Sequence, residues 1–244
     1  IRSGANPDRT IVIPCGIDPN IYKPLTKLER EALRKQLGWD GFVFLNVGAG
    51  TPNKGMDLLL KAFAVVVKSY PQARLVLKGE ESVYESNSLI AQNIDELTFD
   101  EAEKVLPRMA YIGETLPFDK MAQLYQAADA YVSLYLAEGF NMPALEAIAC
   151  GLPVICTKGG PTDDFTTPDF AWHVESTLQA GTSKDGQIFR LMPDLEHSIA
   201  LMKNLIEQPQ LCDRAAIAGP KFAVAGFTWK HVVDQLLEVL LPTI

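Results

Sequence analysis

Residues 129–157 read DAYVSLYLAEGFNMPALEAIACGLPVICT, and in this stretch two strand-like runs flank a helix-like run. Residues 130–136 are mostly apolar or aromatic, residues 142–151 are small and apolar with one glutamate, and residues 153–157 are strand-like again. Pro143 suits the first helical position, because its missing N–H would have no partner there. The stretch therefore predicts a strand–helix–strand unit.

The same alternation continues on the N-terminal side of this unit. Strand-like runs occupy residues 42–48 and 73–79, and helix-like runs occupy residues 54–70 and 118–129. Strands that alternate with helices of about 10–15 residues are typical of βαβ units and a parallel sheet. Near-continuous apolar strands indicate helices on both faces. We therefore expect an α/β fold with a doubly wound, Rossmann-like parallel sheet.

Three segments flank or interrupt this pattern. Residues 1–40 contain a strand-like TIVIP and a helix opened by the capping box TKLE, so we expect a linker strand and helix that lead into the domain. We expect the Rossmann-like domain at residues 41–226, with a polar, helix-like insertion at residues 80–108. Residues 227–244 are expected to form a closing C-terminal helix.

Charge and composition exclude several classes of function. The 244 residues carry a formal net charge of −8, which argues against broad nucleic-acid binding and against anionic membrane surfaces. The longest apolar run, LLLKAFAVVV, is interrupted by Lys61 and is too short to span a bilayer. The four cysteines form no C-x-x-C pair, so we expect free thiols and a cytoplasmic location.

The loop after the first strand, residues 48–55, reads GAGTPNKG. Open α/β sheets bind ligands outside the carboxyl ends of their strands, and glycines let backbone N–H groups approach a ligand. Lys54 lies just before a helix, where the dipole disfavours a cation unless an anion such as phosphate is bound. Lys54 is therefore a candidate phosphate ligand, and a solvated surface lysine is the alternative.

The opening stretch combines two carboxylates with the start of a helix. Phe140, Asn141 and Met142 lie at the helix entrance, where backbone N–H groups would point at an anion. Glu138, at the carboxyl end of a strand, could stabilise positive charge at a reacting carbon, and Glu146 could accept hydrogen bonds from sugar hydroxyls. For Glu146 alone, stabilisation of the first helical turn is an alternative.

The loop after residues 153–157 reads KGGPTDDF. A turn followed by a helix N-cap is the favoured interpretation of its two glycines and of Asp163 and Asp164. The acidic residues lack the D-x-D spacing that would chelate Mg²⁺ or Mn²⁺ at a diphosphate, and adjacent side chains point apart. We therefore expect no metal site.

Several stretches together resemble one enzyme family. EGFNMPALEAIACGLPVICTKGG resembles the E-x7-E signature of retaining GT-B glycosyltransferases, above all glycosyltransferase family 4. TIVIPCGIDPNIYKP, NVGAGTPNKGMDLLLKAF and YIGETLPFDKMAQLYQAADAYVSLYLAEGF are similar to other landmarks of that family, in matching order. The resemblance covers nearly the whole chain except residues 80–108.

The resemblance implies that this chain is the carboxy-terminal, donor-binding half of a two-domain enzyme whose N-terminal acceptor domain is missing here. Lys54 would contact the diphosphate of a nucleotide-sugar donor, Glu138 would lie by the donor sugar at the reacting centre, and Glu146 would bind the ribose hydroxyls. The other implied donor contacts are Gly48, Ala49, Ile112, Gly113, Glu114, Gly139, Phe140, Asn141 and Met142, of which residues 112–114 would lie along the base.

Some positions depart from the family pattern. Family members commonly carry an arginine five or six residues before the lysine, whereas residues 48–50 are GAG. The diphosphate charge would then be balanced by Lys54, by helix N-termini or by a cation elsewhere. Asp163 stands where glutamate is usual, and Asn141 stands where glycine is frequent.

We therefore expect transfer of a sugar from a nucleotide-sugar donor to an unknown acceptor, with retention of configuration and without a cofactor. One alternative is a nucleotide-sugar-binding domain without turnover, which the absent arginine and acceptor domain favour. Another is a GT-B-fold epimerase, which needs a paired acid and base. The histidines His173, His197 and His231 fit no such pairing.

Overall fold

The computed structural model describes residues 6–183 and 186–241. Six parallel strands form one sheet in the order β3-β2-β1-β4-β5-β6. They are β1 (Val43–Val47), β2 (Arg74–Lys78), β3 (Met109–Ile112), β4 (Ala130–Ser133), β5 (Val154–Thr157) and β6 (Ala171–Val174). This order is the Rossmann order, so the predicted doubly wound sheet is confirmed.

Helices cover both faces of the sheet. They are α1 (Lys27–Leu37), α2 (Met56–Ser69), α3 (Ser86–Asp95), α4 (Phe99–Val105), α5 (Phe118–Ala127), α6 (Met142–Ala149), α7 (Leu195–Glu207), α8 (Pro209–Gly226) and α9 (Trp229–Leu240). Successive β1 side chains enter different cores, because strand side chains alternate between faces. Val43 and Leu45 pack with α5 and α6, whereas Phe44 packs with α2 and α7.

The segment at residues 80–108 contains α3 and α4, which carry the chain from β2 to β3. Both helices pack against α2 on one face of the sheet. The proposed division of the chain at residues 40 and 226 stays a prediction. Among the described residues, none of the helices is long and apolar enough to cross a membrane.

The capping box predicted at the start of α1 is present. The Thr26 N–H donates to Glu29 Oε2 at 2.9 Å, and the Glu29 N–H donates to Thr26 Oγ1 at 3.3 Å. The strand expected at TIVIP is absent, and Ile11 and Val12 are exposed. A strand needs a neighbour for its backbone groups, and only Ile17 finds one in the described part of this segment, as a single bridge to Thr228.

The sequence analysis did not anticipate an antiparallel hairpin formed by β7 (Ser176–Ser183) and β8 (Gly186–Pro193). The Leu191 N–H donates to the Leu136 carbonyl at 2.8 Å, which ties the hairpin to the loop that follows β4. The hairpin therefore lies at the carboxyl edge of the sheet, where ligands of open α/β folds bind.

Candidate functional site

The loop that carries Lys54 is held against the carboxyl end of β4. Gly55 has a φ of 64° and lies so close to the Leu134 carbonyl that a side chain would collide with it. The Leu136 N–H donates to the Asn53 carbonyl at 2.8 Å. Because of these contacts, the short 3-10 helix Pro52–Lys54 faces the loop after β4.

Lys54 and Glu138 form an ion pair between Nζ and Oε2 across these two loops. The other carboxylate oxygen, Oε1, accepts the Gly139 N–H at 3.0 Å. The side chains are 24% and 14% exposed, so the pair is largely withdrawn from water. In this structure the anion beside Lys54 is the carboxylate of the other main candidate residue, a contact that sequence spacing did not reveal. The predicted contact of Lys54 with a phosphate stays a prediction.

Asn141 makes the sharp turn into α6. Its φ of 73° lies in the left-handed region, where asparagine is tolerated better than most residues with a side chain. This conformation explains why glycine is frequent at this position. The buried amide Nδ2 donates to Ser133 Oγ at 3.2 Å, so the side chain points into the core and only the backbone faces the cleft.

The helix entrance also supplies backbone donors. Within the part of the chain that the structure describes, the N–H groups of Phe140, Asn141 and Met142 donate to no protein acceptor. The Phe140 ring stacks on Phe165 with centroids 4.6 Å apart, which fixes this turn on the core. The three N–H groups are therefore available to an anion.

Glu146 lies beyond the first turn of α6, which contains no acidic residue. Its side chain is partly buried, and Tyr125 Oη donates to Glu146 Oε2 at 2.6 Å. Burial raises the pKa of Glu146, while hydrogen bonds from Tyr125 and Tyr22 act in the opposite direction. Its position excludes stabilisation of the first helical turn as the role of this residue.

A cavity of about 260 Å³ opens in front of Glu146. Its wall includes Met142 from α6, Asp18 and Tyr22 from the N-terminal segment, and Trp229 at the start of α9. A second cavity, of about 370 Å³, lies at Glu138 and is closed on one side by apolar residues of the hairpin: Leu178, Phe189 and Leu191. The two glutamates of the E-x7-E stretch therefore face different cavities.

A third cavity, of about 240 Å³, lies at the carboxyl ends of β1 and β2. Its lining includes Gly48, Ala49 and Lys78, a buried residue that the sequence analysis did not single out. Burial lowers the pKa of Lys78, and nearby carboxylates act in the opposite direction. A larger cavity, of about 610 Å³, lies at the amino ends of the strands, away from all these candidates.

Residues 112–114 do not line the cavity at β1 and β2. The Ile112 carbonyl accepts the Gly79 N–H at 3.0 Å, the Gly113 carbonyl accepts the Glu81 N–H at 2.9 Å, and the Glu114 side chain is exposed. The following loop supplies Leu116 to that cavity instead. The contact between residues 112–114 and a base stays a prediction.

Asp163 lies in a short 3-10 helix after β5, Pro161–Asp164. Its Oδ2 accepts the Gly159 N–H at 2.8 Å, so the carboxylate supports the turn. Residues 6–183 and 186–241 contain no group of three or more His, Cys, Asp or Glu side chains placed to hold a metal ion.

Comparisons with known proteins identify the family and the fold. A family model described as "Glycosyl transferases group 1" matches residues 29–186. The chain belongs to this family. The family resemblance found in the sequence is thus confirmed, and with it the use of a fold that glycosyltransferases of the GT-B class share.

Individual relatives cover almost the whole chain. Mannosylfructose-phosphate synthase from Agrobacterium fabrum is 29% identical over 230 residues, which are 94% of this chain and 47% of that protein. The structure of the Anabaena protein HepE in complex with UDP-glucose matches with a TM-score of 0.76 and 22% identity, over 98% of this chain and 59% of that one. The chain spans about half the length of the curated relatives it matches.

One matching solved structure consists of a single domain, which the match covers completely. It is the C-terminal domain of a glycosyl transferase group 1 family protein from Francisella tularensis, with a TM-score of 0.67 and 20% identity. The match covers 88% of this chain and 100% of that one. At this identity the likeness shows the fold, which is one Rossmann-like half of a GT-B glycosyltransferase.

Proposed function

We propose that this group 1 domain binds the nucleotide-sugar donor of a retaining glycosyltransferase and contributes the donor half of its active site. The observation that carries the proposal is the convergence of Lys54, Glu138 and the N–H groups at the entrance of α6. A cation and free backbone donors at one point suit a diphosphate, and a carboxylate beside them suits a sugar carbon that becomes positive.

The ion pair suggests how donor binding would prepare this site. The diphosphate would compete with Glu138 for Lys54 and would also accept bonds from the free N–H groups of α6. Glu138, freed from the lysine, could then orient the sugar and stabilise positive charge at its anomeric carbon. Negative charge that develops on the leaving diphosphate would be held by Lys54 and the helix N-terminus.

Glu146 would bind the ribose of the donor from its separate cavity. An ionised carboxylate is a strong acceptor for two neighbouring hydroxyls, and Tyr125 fixes its position through the 2.6 Å bond. The acceptor site is proposed to lie in an N-terminal domain of a longer parent protein, because the chain spans about half of its curated relatives. Free buried thiols at Cys150 and Cys156 support a cytoplasmic location.

The decisive experiment is a thermal-shift and calorimetry panel on the chain with UDP, GDP, ADP and their sugars. A ligand present at 100 times its dissociation constant should stabilise the chain by about 2.7 kcal/mol. As a control, Lys61→Ala, which alters a partly exposed lysine on α2, should bind as the wild type does. If none of the nucleotides binds, the proposal is wrong.

Retention is tested separately in the full-length parent. The configuration of the new glycosidic bond, read by NMR before the anomers equilibrate, should equal that of the donor. An inverted product would contradict the retaining mechanism and leave the donor-binding proposal intact.

A further inference from the structure

Lys78 is a buried cation at the carboxyl end of β2. The residue is 4% exposed, and its Nζ donates to the Gly79 carbonyl. Across residues 6–183 and 186–241, no carboxylate lies within ion-pair distance of this lysine, in contrast to Lys54. An ammonium group carries three donors, so Lys78 has donors to spare for a ligand.

The cavity that Lys78 lines has the size and the walls for a planar ring. Its volume of about 240 Å³ is below the roughly 300–1,000 Å³ of pockets for drug-sized ligands. Leu116 and Met121 provide an apolar wall, and the half-exposed Tyr84 ring is available for stacking. A nucleobase fits this description better than a sugar does.

The cavity adjoins the position proposed for the diphosphate. Gly48 lines it, and a side chain added to Gly48 would lie 3.6 Å from Lys54 Cε. One glycine therefore separates the cavity from the lysine assigned to the phosphates. A nucleotide bound at Lys54 could reach the cavity with its base.

Glu80 supplies a hydrogen-bond acceptor in the same cavity as Lys78. Its Oε1 accepts the Ser82 hydroxyl and the Thr115 hydroxyl, each at 2.7 Å, and no hydrogen bond from a described residue reaches Oε2. These bonds to the ionised form lower the pKa of Glu80, so the side chain remains a carboxylate at neutral pH. Both Lys78 and Glu80 line the cavity, which thus presents a cationic donor next to an anionic acceptor.

We propose that this cavity binds the base of the donor and that Lys78 and Glu80 select guanine. The proposal rests on the donor-binding function proposed above and names the nucleotide class. Guanine presents a carbonyl oxygen, O6, next to two N–H donors at N1 and N2. Lys78 would donate to O6, and Glu80 would accept from N1 and N2.

The other common bases match this pair less well. Adenine presents an amino group where guanine has O6, so a donor would face Lys78, and its N1 would face Glu80 as a second acceptor. Uracil offers a single N–H between two carbonyl oxygens, and one of these would oppose the carboxylate. Each mismatch leaves a buried or charged group without its partner, which costs affinity.

The test measures GDP, IDP, UDP, ADP and inorganic pyrophosphate by calorimetry on the wild type, Lys78→Met and Glu80→Gln. IDP is the matched control ligand, because its base lacks the N2 amino group. In the wild type, GDP should bind about 10-fold to 100-fold more tightly than ADP and UDP. Lys78→Met should remove most of this preference, and Glu80→Gln should make GDP and IDP nearly equal.

Pyrophosphate and the control variants distinguish the ways in which the proposal could be wrong. Lys78→Met should leave pyrophosphate binding unchanged, and Lys68→Met, at an exposed position of α2, should behave as the wild type. If Lys78→Met weakens pyrophosphate as much as GDP, Lys78 contacts phosphate and the base assignment is wrong. If UDP or ADP binds as tightly as GDP, guanine selection fails while donor binding stands.

Glu80→Gln keeps the proposal testable if Lys78→Met does not fold, because Glu80 is only partly buried and lies outside the apolar core. A ratio of GDP to IDP affinity that is the same in wild type and Glu80→Gln would overturn the role of Glu80. Absence of binding by all the nucleotides would instead contradict the donor-binding function itself.

Discussion

The two glutamates of the E-x7-E stretch lie in different environments. Glu138 sits in a polar loop, 14% exposed, where its carboxylate pairs with Lys54. Glu146 sits inside the fold on α6, where its carboxyl accepts a bond from Tyr125 and burial raises its pKa. The left-handed turn at Asn141 separates them and sends each side chain to its own cavity.

This difference in environment suits the two glutamates to different functions. Charge at Glu138 is balanced by a cation that a ligand could displace, which suits electrostatic stabilisation of a changing charge. The carboxylate of Glu146 accepts hydrogen bonds from neutral tyrosine hydroxyl groups at the edge of a small cavity. This environment suits hydrogen bonding to a neutral part of a ligand. The following experiments test this separation.

The largest effect is expected for Glu138→Gln in the full-length parent. Its kcat should fall by about 10²–10³, with donor KM little changed, because the lost interaction strengthens only in the transition state. In the isolated chain the same change should strengthen diphosphate binding, since the carboxylate no longer competes for Lys54. Glu175→Gln, at an exposed glutamate paired with Lys158, is the matched control.

A lower melting temperature of Glu138→Gln with kcat within a few-fold of the wild type would assign Glu138 to loop bracing. The catalytic role proposed for Glu138 would then be wrong.

Lys54→Ala should weaken diphosphate binding by about 1.5–3 kcal/mol, because a charge-assisted contact is lost and Glu138 is left without its cation. Nucleoside binding should change much less, since a nucleoside has no phosphate. Calorimetry with the matched nucleoside and nucleoside diphosphate checks the difference. Equal diphosphate affinity in both proteins would show that Lys54 is not the phosphate ligand.

Asn141→Ala should destabilise the chain more than Asn141→Gly does, by about 1–2 kcal/mol. Both variants lose the buried amide and its 3.2 Å bond to Ser133, but only alanine resists the φ of 73°. Urea denaturation of the two variants measures the difference. Equal stabilities would mean that the strained turn does not set the separation of the glutamates.

Glu146→Gln should weaken binding of ribonucleoside diphosphates by about 0.5–1.5 kcal/mol, the usual net value of a hydrogen bond. A 2′,3′-dideoxy analogue should bind equally to the wild type and the variant, because it lacks the hydroxyls proposed to contact Glu146. Calorimetry with both ligands decides the point, and a similar loss for both would indicate general disruption of α6.

The stability of the wild type relative to Glu146→Gln should also depend on pH. Burial raises the pKa of Glu146, so the fold disfavours its ionised form more than the unfolded chain does, and the contribution to stability is full below the unfolded pKa of about 4.3. This stabilisation is lost as the pH rises through the folded pKa. Urea denaturation from pH 4 to pH 7 should therefore show the wild type losing stability relative to the variant.

Local patterns in the sequence were sufficient to predict the fold and to select the main candidate site residues. Alternating apolar strands and amphipathic helices predicted the doubly wound sheet, since the right-handed crossover rule leaves few other arrangements. The TKLE box predicted the start of α1 because its hydrogen bonds lie within one turn. Lys54, Glu138 and Glu146 stood out because they follow strands or lie near a helix start.

Sequence patterns were misleading where a segment depends on a distant partner. TIVIP has the composition of a strand but finds no neighbouring strand among the described residues. The hairpin of β7 and β8 lies outside the strand–helix alternation and is held at the carboxyl edge by the Leu191–Leu136 contact. Strand formation depends on such pairing, which composition does not report.

The sequence by itself therefore determined the type of sheet, and it indicated the edge at which sheets of this type bind ligands and the residue types available there. Only the tertiary structure decided that Lys54 pairs with Glu138, 84 residues away, that Glu146 is partly buried beside Tyr125, and that Lys78 lines a cavity. The physical reason is the separation along the chain over which each interaction acts. Backbone preferences act within a few residues, whereas ion pairs, burial and cavities arise when strand register brings distant segments together.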